Sequence, residues 1–206
     1  MKHVILFLMT FCCALSIQAQ SQIKSGLILQ GGAGKIQSVI EPTVLEKISF
    51  YDISHNRNFS IGYCFHIKKS GTPIFFNVDA NLGMKSWQAR FEYLNPNDDA
   101  SNPYDDILSN ETSSKYYLVS LAGTVNYSIY KGLSTGVGLE PTYLIWQEGE
   151  DSQNNFDLPI VAKLSYDFGP FELGINYKYG LMDLIKTDDV QSGKFREWQF
   201  SLFIPF

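Results

Sequence analysis

From residue 57 onward, large apolar side chains recur at every second position, and the residues between them are small or polar. The stretch 57–68 sets Phe59, Ile61, Tyr63, Phe65 and Ile67 against Ser60, Gly62, Cys64 and His66. A two-residue period is the signature of a strand with two unlike faces, because successive Cβ atoms point to opposite sides. The same period recurs in 73–91, 115–130, 133–147, 156–168 and 171–182, and in the final stretch "FREWQFSLFIPF". A weaker segment spans 24–36, where Gly31, Gly32 and Gly34 interrupt Leu27, Leu29 and Ala33. No stretch combines helical spacing with capping residues. Eight strands are therefore predicted.

The connections alternate in length. "KSGTP" (69–73), "YKG" (130–132) and "FGPF" (168–171) carry the glycine and proline chemistry of tight turns. The spacers 37–56, 92–114, 148–155 and 183–193 are longer and polar. Regular strands joined this way predict an all-β, eight-stranded antiparallel up-and-down barrel.

Alternation does not say which face looks inward, but size and charge do. One face is Leu, Ile, Val, Tyr and Phe; the other is mostly Gly, Ser, Asn, Thr and Ala. An eight-stranded barrel is only wide enough inside for side chains to fill, which suits the small polar set. The apolar face carries no Lys, Arg, Asp or Glu through the middle of the segments from 57 onward. A water-facing exterior would carry many, whereas a lipid-facing one excludes them at about 2–4 kcal/mol for each midplane Arg or Lys. Aromatics gather near the strand ends: Phe59, Tyr117, Tyr143, Tyr179 and Trp198 toward the long connections, Phe65, Tyr127, Phe168, Phe171 and Phe206 toward the turns. Two such belts are expected where rings meet lipid headgroups. The prediction is a transmembrane barrel with both termini and the tight turns on the periplasmic side.

The N-terminus supports export. Lys2 and His3 precede an apolar run from Val4 to Ile17, followed by "IQA". That is the layout of a secretory signal peptide, and the run is shorter than the about 20 residues of a spanning helix. Residues 1–19 are expected to be cleaved, leaving the barrel domain 20–206. Cleavage removes Cys12 and Cys13, so Cys64 is left without a disulfide partner and reads as a small inward packing residue. It also removes Lys2, taking the formal charge from −5 to −6. A mildly acidic chain argues against a nucleic-acid partner.

The leader, the eight alternating segments and the terminal "WQFSLFIPF" together make the chain resemble the small OmpA/OmpX-like outer-membrane β-barrels, a type common as single-domain proteins in Bacteroidetes. The resemblance spans residues 24–206. It implies a Gram-negative outer-membrane location, contact with lipid and lipopolysaccharide, and a monomer. It also implies that Trp198, Phe200, Leu202, Ile204 and Phe206 form the signal read by the barrel-assembly machinery. The resemblance gives no ground to infer a peptidoglycan-binding domain such as that of OmpA itself.

Candidate chemistry is sparse. Asp79, Glu140, Lys163, Asp167, Glu172 and Lys178 fall on the inward face, where charges are expected to pair because an unpaired buried charge is costly. Lys35, Arg57, Lys85, Arg90, Lys115, Lys194 and Arg196 cluster near the long connections as candidate contacts to lipopolysaccharide phosphates. The acidic run with Asp98, Asp99, Asp105, Asp106 and Glu111 offers hard oxygen ligands but not the spacing of a calcium loop. Some small barrels of this type modify lipid A, and Asp52, Ser54 and His55 hold the residue types for that distant alternative, but adjacency in sequence is not the required geometry. No catalytic residue, cofactor or metal is expected. Inward Leu118, Leu144, Trp146 and Val161 suggest a partly apolar upper interior, which favours a small apolar ligand as the alternative to a structural, adhesive or surface-binding role of the loops.

Overall fold

The computed structural model describes residues 21–45, 48–93, 108–149, 154–186 and 190–206. The leader, Asp98, Asp99, Asp105 and Asp106 lie outside the described residues. Among the described residues ten strands form: β1 (Ser21–Ile40), β2 (Ile48–Lys69), β3 (Ile74–Tyr93), β4 (Leu108–Tyr130), β5 (Leu133–Leu139), β6 (Thr142–Glu148), β7 (Phe156–Asp157), β8 (Ile160–Asp167), β9 (Glu172–Tyr179) and β10 (Val190–Pro205), with a single helical turn α1 (Pro42–Leu45). The sheet runs β3-β2-β1-β10-β9-β8-β5-β4 and closes through a β3–β4 pairing, which makes a ring of eight strands. The pairings are antiparallel.

Two prolines explain why ten strands replace the eight expected. Pro141 separates β5 from β6, and Pro159 separates β7 from β8. Proline has no N–H to donate to the ladder, so each interrupts a segment whose alternation continues across it.

The terminal stretch is the closing strand. β10 pairs β1 on one side, with Leu202 opposite Leu29, and β9 on the other, with Phe200 opposite Ile175. The glycines that interrupt the first segment belong to this seam. A Cβ at Gly32 would collide with the Trp198 carbonyl oxygen, so glycine lets β1 lie close against β10. The three tight turns appear where expected, and each holds a glycine at positive φ: Gly71, Gly132 and Gly169.

The long connections are shorter than the sequence suggests. β1 and β2 extend through much of 37–56, and β3, β4 and β10 advance into 92–114 and 183–193. On β3 the ladder to β4 is unbroken from Ile74 to Tyr93, so even-numbered residues point outward throughout. Apolar residues occupy those outward positions only as far as Met84. Beyond it the apolar set moves to the inward positions Trp87, Ala89 and Phe91, all buried. Ser86, Gln88 and Arg90 then face outward. β10 behaves alike, with Trp198 and Phe200 outward below and Phe195 buried inside above. Polar residues outside the apolar face read as loop in the sequence, but they are strand continuing with its chemistry reversed.

Candidate functional site

The interior divides into a charged lower lumen and an apolar cap. In the lumen, Lys163 and Glu172 approach to 2.9 Å, and Lys178 and Glu140 to 2.6 Å. Each of these four side chains is buried. The second pair is tied further: Ser120 donates to Glu140 Oε1 at 2.8 Å, and Lys178 Nζ donates to Gln30 Oε1 at 3.2 Å. Ser60 donates to the same Gln30 oxygen at 3.3 Å. Asp79 lies buried beside Cys64, its register partner, within the field of Lys163. Four of the six inward charges read from alternation thus pair as expected, whereas Asp79 forms no ion pair among the described residues. Asp167 sits at the mouth instead, 3.7 Å from Lys24.

A third buried pair is hidden among the candidate phosphate contacts. Lys85 is 7% exposed, points inward and meets Glu197, itself fully buried, at 2.9 Å. Its ammonium also lies 4.8 Å from the centre of the Phe195 ring. Lys85 therefore leaves the set of surface cations. Strand alternation, which puts it on the face of Asp79 and Asn81, outweighs its position near the loops.

Above this lumen, Ile36, Ile40, Trp87, Phe91, Tyr116 and Phe195 pack with Leu118 and Leu144 into one apolar cluster. The connection between β9 and β10 folds into it and buries Leu184 and Ile185 completely. Asp157 secures that connection: its Oδ1 accepts from the Leu158 and Met182 backbone N–H groups at 2.8 and 3.0 Å. The Asn154 side chain donates to the Asp183 carbonyl at 2.7 Å, and Ile185 N–H donates to Gly193 O at 3.1 Å. In the sequence Asp157 closes the acidic stretch "EGEDSQNNFD" and falls within the segment 156–168, and nothing local marks it as an anchor for the connection between β9 and β10.

Leu118, Leu144 and Val161 are buried inward as expected, but Trp146 is 57% exposed on the outer wall. The cause is a bulge. Tyr117 pairs Trp146 while Leu118 pairs Leu144, which leaves Ile145 as an extra residue and reverses the facing of the residues after it. Trp146 then lies against Tyr117, their ring centres 4.8 Å apart. Asn56 is a comparable extra residue on β2, between His55 opposite Trp87 and Arg57 opposite Ser86.

The outer wall of the lower ring bears Leu82, Leu121, Val137, Ile175, Trp198 and Phe200 among many exposed apolar side chains. At its upper edge stand the remaining candidate cations. Lys35 and Arg196 are cross-strand partners. Arg196 stacks 3.4 Å over the Tyr179 ring, donates to the Gly180 carbonyl and bonds Gln37 Oε1 at 2.8 Å. Lys115 pairs Glu148 at 3.3 Å, Lys194 lies 3.8 Å from Asp183, and Arg90 meets Glu92 at 3.1 Å and Glu111 at 3.7 Å. Lys35 and Arg57 are exposed, with no carboxylate partner among the described residues. Asp52 and Ser54, on the outer face of β2, lie beside their β3 register partners Arg90 and Gln88 in a shallow polar hollow. The side chain of His55 lies outside the described residues. Among the described residues no group of three or more His, Cys, Asp and Glu is placed to hold a metal ion.

No protein-family model matches the chain, and no curated protein does. Solved structures similar to it include Neisserial surface protein A, at 14% identity over 90% of this chain and 99% of that one, with a TM-score of 0.47. Another is Ail, the attachment invasion locus protein of Yersinia pestis, in complex with the heparin analogue sucrose octasulfate, at 14% identity, 90% and 99% coverage and a TM-score of 0.41. A third is the outer membrane protein OprG of Pseudomonas aeruginosa, at 10% identity, 90% and 92% coverage and a TM-score of 0.38.

Proposed function

We propose that this chain is an integral outer-membrane β-barrel of the small OmpA/OmpX-like type, exported by a cleaved leader, with a structural, adhesive or surface-binding role for its loop end. The observation that carries this is the outer wall of the lower ring: apolar, free of charge through its middle, and edged by aromatic side chains. Such a surface is unstable in water but matches hydrocarbon. A closed ring leaves no unpaired strand edge to desolvate in lipid. Fractionation tests the location. The protein should remain with outer membranes after alkaline extraction, and recovery in the soluble periplasm would refute the reading.

The packed lumen supports a closed barrel, so planar-bilayer conductance should stay at background. The same packing speaks against the apolar-ligand alternative, because Leu118 and Leu144 belong to one packed cluster with Trp87, Tyr116 and Leu184 rather than lining empty space. Nothing in the arrangement of Asp52 and Ser54 supports lipid A chemistry, and unchanged lipid A mass spectra with and without the protein are expected.

Among the surface cations, Lys35 and Arg57 are the favoured contacts to lipopolysaccharide phosphate, with Lys115, Arg90, Lys194 and Arg196 partly committed to protein partners. Reversing the charge of Lys35 and Arg57 should lower co-purified lipopolysaccharide; an unchanged amount would remove the proposal. The outward row Trp198, Phe200, Leu202, Ile204 and Phe206 fits the assembly signal. Phe206→Ser should reduce insertion while secretion continues.

A further inference from the structure

The turn end of the lumen opens into a basin of about 340 Å³. Its wall is built from inward positions of neighbouring strands. Gln22 and Lys24 of β1 lie opposite Lys68 and His66 of β2, and Ser128 of β4 lies opposite Ser134 of β5. Lys131 enters from the turn between β4 and β5. His66 stacks flat on Phe75, ring centres 4.1 Å apart, and closes one side.

The charges in this basin do not cancel. Lys24, Lys68 and Lys131 contribute three ammonium groups. Of the two carboxylates, Glu172 is already committed to Lys163 at 2.9 Å. Asp167 lies 3.7 Å from Lys24 and also accepts the Gly169 N–H at 2.7 Å. Among the described residues, Lys68 and Lys131 have no carboxylate partner. Lys24 and Lys68 occupy the same face of adjacent strands, one on a cross-strand diagonal from the other. Like charges so placed destabilise a sheet unless something neutralises them. Both follow the inward alternation of their strands, whereas the next residue, Lys69, lies on the opposite face and is exposed.

We propose that this basin binds a phosphate group. Three ammonium groups with the Ser128 hydroxyl and the Gln22 amide suit a compact anion with several acceptor oxygens, which lysine binds as a point charge. The basin holds no arginine fork, the donor that would favour a planar carboxylate. The group has two sources, a soluble phosphate compound or the headgroup of a lipid in the adjoining leaflet. The site is independent of what the opposite end of the ring contacts.

The test uses the full chain refolded into nanodiscs of zwitterionic lipid, titrated with inorganic pyrophosphate and followed by calorimetry and by amide shifts of residues 66–68 and 128–134. Saturable binding is expected. Lys68→Gln and Lys131→Gln should each weaken it about tenfold, the loss of one charge-assisted hydrogen bond. Lys69→Gln should leave it unchanged, since that side chain points away from the basin. Lys131 lies in an exposed turn, so its variant carries the test even if Lys68→Gln fails to fold. Repeating the titration in discs of anionic phospholipid separates the sources: lost pyrophosphate affinity identifies the headgroup, and retained affinity a soluble compound. No saturable heat or shift, or an equal loss in Lys69→Gln, would overturn the site.

Discussion

The lower and upper halves of β3 share one uninterrupted ladder and opposite chemistry. From Ile74 to Met84 the outward positions are apolar and the inward ones include Asn77, Asp79 and Asn81. From Trp87 to Phe91 the inward positions become apolar, and Gln88 and Arg90 turn to the outside. The backbone is indifferent to this exchange, because pleating fixes only that neighbours alternate. The difference lies in the medium. In the proposed outer-membrane setting the lower wall meets hydrocarbon and the upper wall meets water, so each half presents the surface its surroundings accept. Its interior takes the remainder: paired charges below, packed side chains above. Lys85, paired to Glu197 and lying against Phe195, sits where the two interiors meet.

That contrast can be broken most severely from the inside of the lower half. Glu140→Leu should cost about 3–5 kcal/mol by stranding Lys178, whereas adding Lys178→Met should recover most of it. Urea unfolding in lipid vesicles would check both. In the upper interior the vulnerability is volume, so Trp87→Ala should cost about 3–5 kcal/mol by opening a cavity in the apolar cap. On the outer wall, Leu121→Arg should cost about 2–4 kcal/mol in the same assay. Arg196→Lys should cost about 0.5–1 kcal/mol by weakening the stack on Tyr179 at the upper edge of the apolar wall. The smallest change sharpens the position of the boundary: Gln88→Arg, on the upper outer wall, should stay within about 0.5 kcal/mol. Equal effects of Leu121→Arg and Gln88→Arg would erase the proposed boundary.

Much of the lower ring was legible because alternation reports facing directly. Phe59 to Ile67, Ile74 to Leu82 and Trp198 to Phe206 lie as their two-residue period requires, and inward Phe203 packs with Ile28 and Cys64. The candidate cations were less legible, since a lysine near a strand end has the same sequence signature whether it faces phosphate or a buried glutamate. Alternation separates the cases for Lys85, because its distance from Asp79 is even. Trp146 escaped the same rule because a bulge at Ile145 breaks the count, and no proline or glycine marks it.

The sequence by itself determined the alternating segments of the lower ring, their facing, the turns and the strand that closes the ring, because each depends on local spacing and on glycine or proline geometry. Only the tertiary structure decided which charges became partners, since Lys178 meets Glu140 and Lys85 meets Glu197 across the lumen. It also decided that Leu184 and Ile185, from an apparently polar connection, would fill the upper mouth. These outcomes depend on the width of a closed ring: once eight strands close, side chains far apart in the chain must share one narrow interior, and only their mutual fit in charge and volume selects who meets whom.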